Sequence, residues 1–194
     1  DDNNLGIDID WSASAENLRH WLEASRANRI IVTGFIASDK DGKARVLGRN
    51  GSDWSGAIFA KLFAAQELTI WTDVDGVLSA DPRLVPEAQW VPSLSFEEAC
   101  ELAYFGAQVL HPRSLQPVMA ANIPLRIRNS FKPEHPGSVI SKTPSTQPPV
   151  KGVSAITDLA LVTIEGTGLM GVPGTAERVF AALHKANVSV VMIS

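Results

Sequence analysis

Apolar residues recur at helical spacing at Ala15, Leu18, Trp21 and Leu22, behind Ser12 as a candidate cap, which predicts a first helix. The pattern then changes. Ile30-Ile-Val32 is a continuous β-branched run closed by Thr33-Gly34 and reads as a strand buried on both faces. Ile58, Phe59, Leu62 and Phe63 place a second helix over 53–66, and Leu68-Thr-Ile-Trp71 reads as a second strand. Ser95 and Glu98 have capping-box spacing for a third helix through Ala99, Leu102 and Ala103, ended by Gly106. His111-Pro112 opens a fourth helix, and Pro124-Leu-Arg-Ile-Arg-Asn129 is a short strand. Strands alternating with helices predict an α/β domain whose sheet is mainly parallel, with helices on both faces.

From Ser130 to Val150 the composition turns to Pro, Ser, Thr, Lys and Gly without an apolar period, as expected of a loop and linker. Beyond it Leu159–Ile164 and Val188–Ile193 read as strands on either side of a helix from Pro173 to Ala186. One such βαβ unit is half of a small domain and needs more strands to close its core, so the chain reads as an excerpt of a longer polypeptide.

Composition narrows the classes. The 194 residues are 45% hydrophobic and 20% charged, with a net charge of -4, which suits a globular protein and gives no support for nucleic-acid or anionic-membrane partners. No apolar run approaches the ~18 residues of a membrane span. Asp1-Asp-Asn-Asn4 lacks the pattern of a signal peptide. Cys100 is the only cysteine, which fits a reducing, cytoplasmic setting and a buried apolar role on a helix. The four histidines lack metal-ligand spacing, His111 reads as structural, and the five scattered tryptophans read as packing residues.

The chemistry concentrates in two runs. In Leu47-Gly-Arg-Asn-Gly-Ser-Asp-Trp54, Arg49 offers a planar fork to a carboxylate, Gly51 a close backbone approach, Ser52 a hydroxyl at a helix start and Asp53 a partner for an ammonium. Arg and Asp at this spacing match the two ends of an amino acid. The plain alternative is that Ser52 or Asp53 only caps the helix. In Trp71-Thr-Asp-Val-Asp-Gly-Val77, Thr72, Asp73 and Asp75 follow a strand end, where open α/β sheets bind ligands. Turn chemistry accounts for Asp75 and Asp81 better than for Asp73. No G-x-x-x-x-G-K-[ST] run exists. Gly166-Thr-Gly168-Leu-Met-Gly171 satisfies G-x-G-x-x-G, but the acidic residue of a dinucleotide site is missing downstream.

These two runs, with Tyr104-Phe-Gly-Ala-Gln-Val-Leu-His-Pro112, resemble the aspartate kinases of the amino-acid kinase family. Details such as Trp71–Gly76 and Glu165-Gly-Thr-Gly168 are most similar to aspartokinases fused to a homoserine dehydrogenase. The resemblance implies transfer of the ATP γ-phosphoryl to L-aspartate, giving 4-phospho-L-aspartate, with Mg²⁺ on the nucleotide. It assigns Phe35, Arg49, Asn50, Gly51, Ser52 and Asp53 to aspartate, and Thr72, Asp73, Leu78, Arg83, Gln108 and Val109 to ATP. Two positions depart from the family, which often has Tyr at Leu78 and Lys at Gln108; glutamine brings no cation to a phosphate. The resemblance divides the chain into the nucleotide-binding part of a kinase domain (1–129), a linker (130–150) and the beginning of an ACT regulatory domain (151–194), a partial ferredoxin-like βαβ unit. Val172, Gly174, Thr175, Ala176, Ser189 and Val190 would then form an effector site for lysine or threonine, completed in a homo-oligomer. The family's Lys-Phe-Gly-Gly-Thr and Arg-Gly-Glu motifs do not occur in the 194 residues, so the fragment alone is expected to be inactive. The competing readings are another amino-acid kinase, such as a glutamate kinase, and a nucleotide- or effector-binding module without turnover.

Overall fold

The computed structural model describes residues 7–105, 109–146, 148–164 and 174–193. Two compact units emerge, Asp1–Ile156 and Thr157–Ser194.

The first unit is built on a four-stranded sheet in the order β3-β7-β8-β6, from β3 (Leu68–Thr72), β6 (Ser93–Ser95), β7 (Leu125–Asn129) and β8 (Ser138–Ser141). β7 pairs parallel to β3, with Leu68 opposite Leu125 and Thr72 opposite Asn129. β8 is parallel to β6 but antiparallel to β7, so two of the three pairings are parallel and the sheet is mainly parallel, as expected, with one antiparallel contact. Two separate antiparallel pairs accompany it, β1 (Ile36–Ser38) with β2 (Ala44–Val46), and β4 (Val77–Leu78) with β5 (Trp90–Val91).

The helices are α1 (Trp11–Ala24), α2 (Gly51–Leu62), α3 (Phe96–Tyr104) and α4 (Pro112–Ala120). α3 starts as its sequence dictates: Ser95 Oγ accepts from the Glu98 N–H at 3.0 Å and Glu98 returns a carboxylate to the Ser95 N–H at 2.7 Å. α4 has Pro112 at its first position and His111 as cap, Nδ1 accepting from the Arg113 N–H at 3.2 Å. α2, α3 and α4 contribute to the main core around Leu94, Leu115, Val118, Leu125, Ile127 and Ile140. Burying each such side chain is worth about 1.5–3 kcal/mol. A second cluster joins Leu47 to Trp54 and Ile58 of α2, with Trp11 of α1 packed against it.

Four local expectations change. The first helix is capped by Asp10, whose carboxylate accepts from the Ala13 N–H at 2.9 Å, not by Ser12, which lies inside it. Ile30–Val32 is not in a sheet: no described strand lies beside it, and Ile31 is fully exposed. The stretch 130–150 contains β8, hidden from a composition reading because its ends are serines and a Gly-Ser pair precedes its apolar Val139-Ile140. Of the tryptophans only Trp54 is buried; Trp21, Trp71 and Trp90 are substantially exposed. Cys100 is half-buried on α3 against the main core, and burial pushes its thiol up.

The second unit contains α5 (Thr175–Lys185), which starts at Gly174 in the left-handed region (φ 83°). The apolar segments 159–164 and 188–193 precede and follow it in the chain, and neither is assigned to a strand among the described residues. Leu161, Met192 and Ile193 are exposed accordingly. Among the described residues no helix is long and apolar enough to cross a membrane.

Candidate functional site

The first motif forms a corner at the start of α2. The chain enters from Phe35, a non-glycine residue held at φ 72°, passes through β1 and β2, and reaches Asn50, also left-handed at φ 58°. Strained backbone of this kind costs roughly 1–3 kcal/mol and persists only where its surroundings fix it. Here Ser55 does so. Its Oγ donates to the Gly51 carbonyl at 2.7 Å and accepts from the Phe35 N–H at 2.9 Å, while the Phe35 carbonyl accepts from the Leu47 N–H at 2.9 Å. Asn50 occupies the cap position without a side-chain hydrogen bond, so neither Ser52 nor Asp53 is the cap and the helix presents uncapped N–H groups.

Two charges flank this open helix start. Arg49 is exposed and Asp53 half-buried, and neither side chain has a hydrogen bond or ion pair among the described residues. Burial pushes the Asp53 carboxyl above the ordinary carboxylate range, because no cation compensates it. The start of α4 lies alongside: Arg113 stands 5.3 Å from the Trp54 ring, and Arg49 and Arg113 together with burial lower the His111 pKa, burial most. The corner is thus positive at its rim, with one unmatched carboxylate. A zwitterion carrying carboxylate and ammonium would satisfy both.

The second motif borders a cleft of about 310 Å³, lined by Val74, Gly76–Leu78, Ala80–Arg83, Leu102, Val109 and Val153–Ala155. Leu78, Arg83 and Val109, which the resemblance assigns to ATP, are among its lining residues. Thr72 and Asp73 lie immediately before it, linked by a hydrogen bond from Thr72 Oγ1 to Asp73 Oδ1 at 3.1 Å. Gln108 lies outside the described residues. Arg83 is bound to Asp81, Nη2 at 2.6 Å and Nε at 3.0 Å, and this guanidinium holds the Asp81 carboxyl at about 2. Asp81 is therefore more than a turn residue. So is Asp75, which bonds Lys132 Nζ at 2.7 Å and Asn129 Nδ2 at 2.6 Å.

Several residues here escaped the sequence reading. Ser138 is fully buried; its Oγ accepts from the Val77 N–H at 2.8 Å and donates to the Val91 carbonyl at 2.6 Å. Gly76, at φ 136°, is required there because a Cβ would stand 2.4 Å from that Oγ. Lys151 is buried against Glu98, Nζ to Oε2 at 2.7 Å. No sequence motif signalled Ser138 or Lys151, but Asn129 sits at an inward position of a strand that alternates, which is a readable signal. In the second unit, Gly174, Thr175 and Ala176 form the start of α5, and Ser189 and Val190 lie on the segment after it. Val172 and the 166–171 glycine run are outside the described residues.

An α/β unit with a charged corner at the start of α2 and a cleft after β3, followed by a second unit, fits one class of protein. The chain belongs to the amino acid kinase family, whose model matches residues 5–129, and an ACT domain model matches 162–194. The relatives are more particular. Bifunctional aspartokinase/homoserine dehydrogenase 1, chloroplastic, of Arabidopsis thaliana is 48% identical over 194 residues, a match covering 97% of this chain and 21% of the relative. The chain thus spans about a fifth of the length of such relatives and corresponds to their aspartokinase and ACT region. Among solved structures, E. coli aspartokinase III in complex with aspartate and ADP (R-state) superimposes with TM-score 0.77 at 29% identity, covering 100% of this chain and 44% of that one. The same enzyme in complex with lysine and aspartate (T-state) gives TM-score 0.71 at 29% identity and the same coverage.

Proposed function

We propose that this chain is the substrate corner and nucleotide cleft of an aspartate kinase that transfers the γ-phosphoryl of ATP to L-aspartate, yielding 4-phospho-L-aspartate. The observation that carries the reading is the unmatched pair Arg49 and Asp53 on either side of the uncapped start of α2. Arg49 would take a substrate carboxylate through parallel charge-assisted hydrogen bonds, and Asp53 the ammonium. Asn50, Gly51 and Ser52 would offer backbone and hydroxyl groups between them, with Phe35 as a wall. The cleft would take the adenosine part of ATP against Leu78 and Val109, with Thr72, Asp73, Arg83 and Gln108 toward the phosphates. Phosphoryl transfer relies on positioning and charge neutralisation, which is what such residues provide. The E. coli relative bound to aspartate and ADP supports both ligands.

Mg²⁺ would accompany the nucleotide, held mainly by phosphates and water as is usual for this ion. Residues 1–129 would form the kinase part, 130–150 a connector and 151–194 the start of the regulatory domain. There Val172, Gly174, Thr175, Ala176, Ser189 and Val190 would bind lysine or threonine once the apolar segments 159–164 and 188–193 pair with further strands, including those of a second subunit. A lysine-bound T-state of the E. coli relative supports an amino-acid effector. The chain alone would turn over little, and the setting would be cytoplasmic.

The test is an ADP-release assay on the full-length protein with aspartate or glutamate as acceptor. Aspartate-dependent release supports the reading; release with glutamate alone, or with neither, overturns it.

A further inference from the structure

β7 alternates inward and outward side chains, and its inward positions are Leu125, Ile127 and Asn129. Packing alone would be served by a third aliphatic residue. Asn129 is instead an amide only 4% exposed, and a buried amide must use its donors and acceptor within the protein. It spends its donors on one target, the turn after β3. Nδ2 donates to the Asp73 carbonyl at 3.3 Å and to Asp75 Oδ1 at 2.6 Å, while Oδ1 accepts from the Phe131 N–H at 2.8 Å. Lys132 Nζ holds the other Asp75 oxygen at 2.7 Å, and the Ser130 N–H donates to the Thr72 carbonyl at 2.8 Å. The far end of the turn is fixed by Ser138 Oγ on the Val77 N–H. The segment that carries Thr72 and Asp73 and contributes Val74 and Gly76 to the cleft is therefore clamped from one side by the end of β7.

We infer that Asn129 is a positioning residue for the nucleotide, setting the 73–76 turn against the cleft through Asp75 and the Asp73 carbonyl. The inference rests on the reading of the cleft as a nucleotide site. Asn129 acts through the turn, and Lys132 supports it from the solvent side by neutralising the Asp75 carboxylate that Asn129 grips.

The experiment uses the full-length protein with Asn129→Ala and Asn129→Asp, and Leu115→Ala as a destabilised comparison in the main core. MgADP affinity is measured by calorimetry, and kcat and the KM values for ATP and aspartate well below the unfolding temperature. Loss of these hydrogen bonds should weaken MgADP and raise the ATP KM about tenfold while the aspartate KM stays within about twofold. Asn129→Asp should be at least as severe, because it sets a second carboxylate against Asp75. Leu115→Ala should lower Tm without separating the two KM values. Unchanged MgADP affinity in Asn129→Ala, or equal movement of both KM values, overturns the inference. If that variant does not fold, Lys132→Met decides: a smaller shift confined to nucleotide supports the inference, and no shift overturns it. A protein that binds MgADP but does not phosphorylate aspartate removes the proposed reaction and leaves the inference to the MgADP titration. One that binds no MgADP overturns both.

Discussion

The Phe35 ring lies so close to Gly51 that a Cβ at position 51 would stand 2.8 Å from Phe35 Cδ2 and 3.0 Å from the Leu47 Cβ. Glycine is needed here for space, since its φ is not left-handed. Gly51→Ala should therefore push the ring out or shift the start of α2, at a cost of about 1–3 kcal/mol typical of overpacking. Because Ser55 ties both Phe35 and Gly51, the displacement should reach the proposed aspartate corner. Aspartate KM should rise more than ATP KM, with a lower Tm. A variant of unchanged Tm and aspartate KM would mean that the ring yields freely.

Arg49 has no partner within the described residues, so its removal should leave stability nearly untouched. A bidentate contact to a substrate carboxylate is worth roughly 1.5–3 kcal/mol. Arg49→Ala should accordingly lower kcat/KM for aspartate by roughly tenfold to a hundredfold. Steady-state kinetics with aspartate varied at saturating ATP reads this directly. Unaltered aspartate kinetics would remove Arg49 from the substrate site.

Asp53 gives a pH signature. Its folded pKa is raised by burial, so the folded state holds its proton more tightly than the unfolded chain. Stability is therefore lost as pH rises through the window from the ordinary carboxylate range up to the folded pKa, and the penalty is fully present above it. Asp53→Asn removes that penalty. The variant should match or exceed the parent in Tm at neutral pH, with the advantage vanishing in acid, while its aspartate KM rises for want of an ammonium partner. A variant less stable at neutral pH than in acid, relative to the parent, would contradict the burial argument.

Local signals were legible where one residue pair decides the outcome. Ser95 with Glu98 and His111 with Pro112 start α3 and α4 where their chemistry says they must. The Leu47–Asp53 run could be located at a helix start, although that Asn50 would cap it in a left-handed conformation could not be read from its neighbours. What long-range pairing decides stayed hidden. Ile30–Val32 has the composition of a buried strand, yet composition is silent on whether a partner lies beside it. β8 carries only two apolar residues, and its place between β7 and β6 depends on Ser138 meeting Val77 and Val91, both far away in sequence. The antiparallel β7–β8 contact likewise follows from the turn over 130–137, not from strand propensity.

The Lys151–Glu98 pair joins a helix cap to the wall of the cleft and can be tested for both roles. Lys151 has only 5% of its side chain exposed, whereas the Glu98 side chain is 39% exposed. Burial acts to raise the Glu98 pKa, but the Lys151 ammonium and the Ser95 N–H outweigh it and the net shift is downward. For a depressed carboxylate the stabilisation is present above the unfolded pKa and lost as pH falls through the folded one. Just beyond Lys151, Gly152 lies against Leu102, and the Val153 N–H donates to the Ser79 carbonyl at 2.7 Å, so the ion pair anchors the strand of chain that lines the cleft. Lys151→Met keeps the buried stem and removes the charge. Since water screens Glu98, the loss at neutral pH should be about 1–2 kcal/mol, not the larger figure for a fully buried pair. The stability difference from the parent should shrink as pH falls below the ordinary carboxylate range, and Glu98→Gln should remove most of the effect of Lys151→Met in a double-mutant cycle. Because the anchor borders the cleft, MgADP should bind more weakly to Lys151→Met, with little change in aspartate KM. Additive effects of the two substitutions would show that the pair is not coupled, and unchanged MgADP binding would confine it to holding α3.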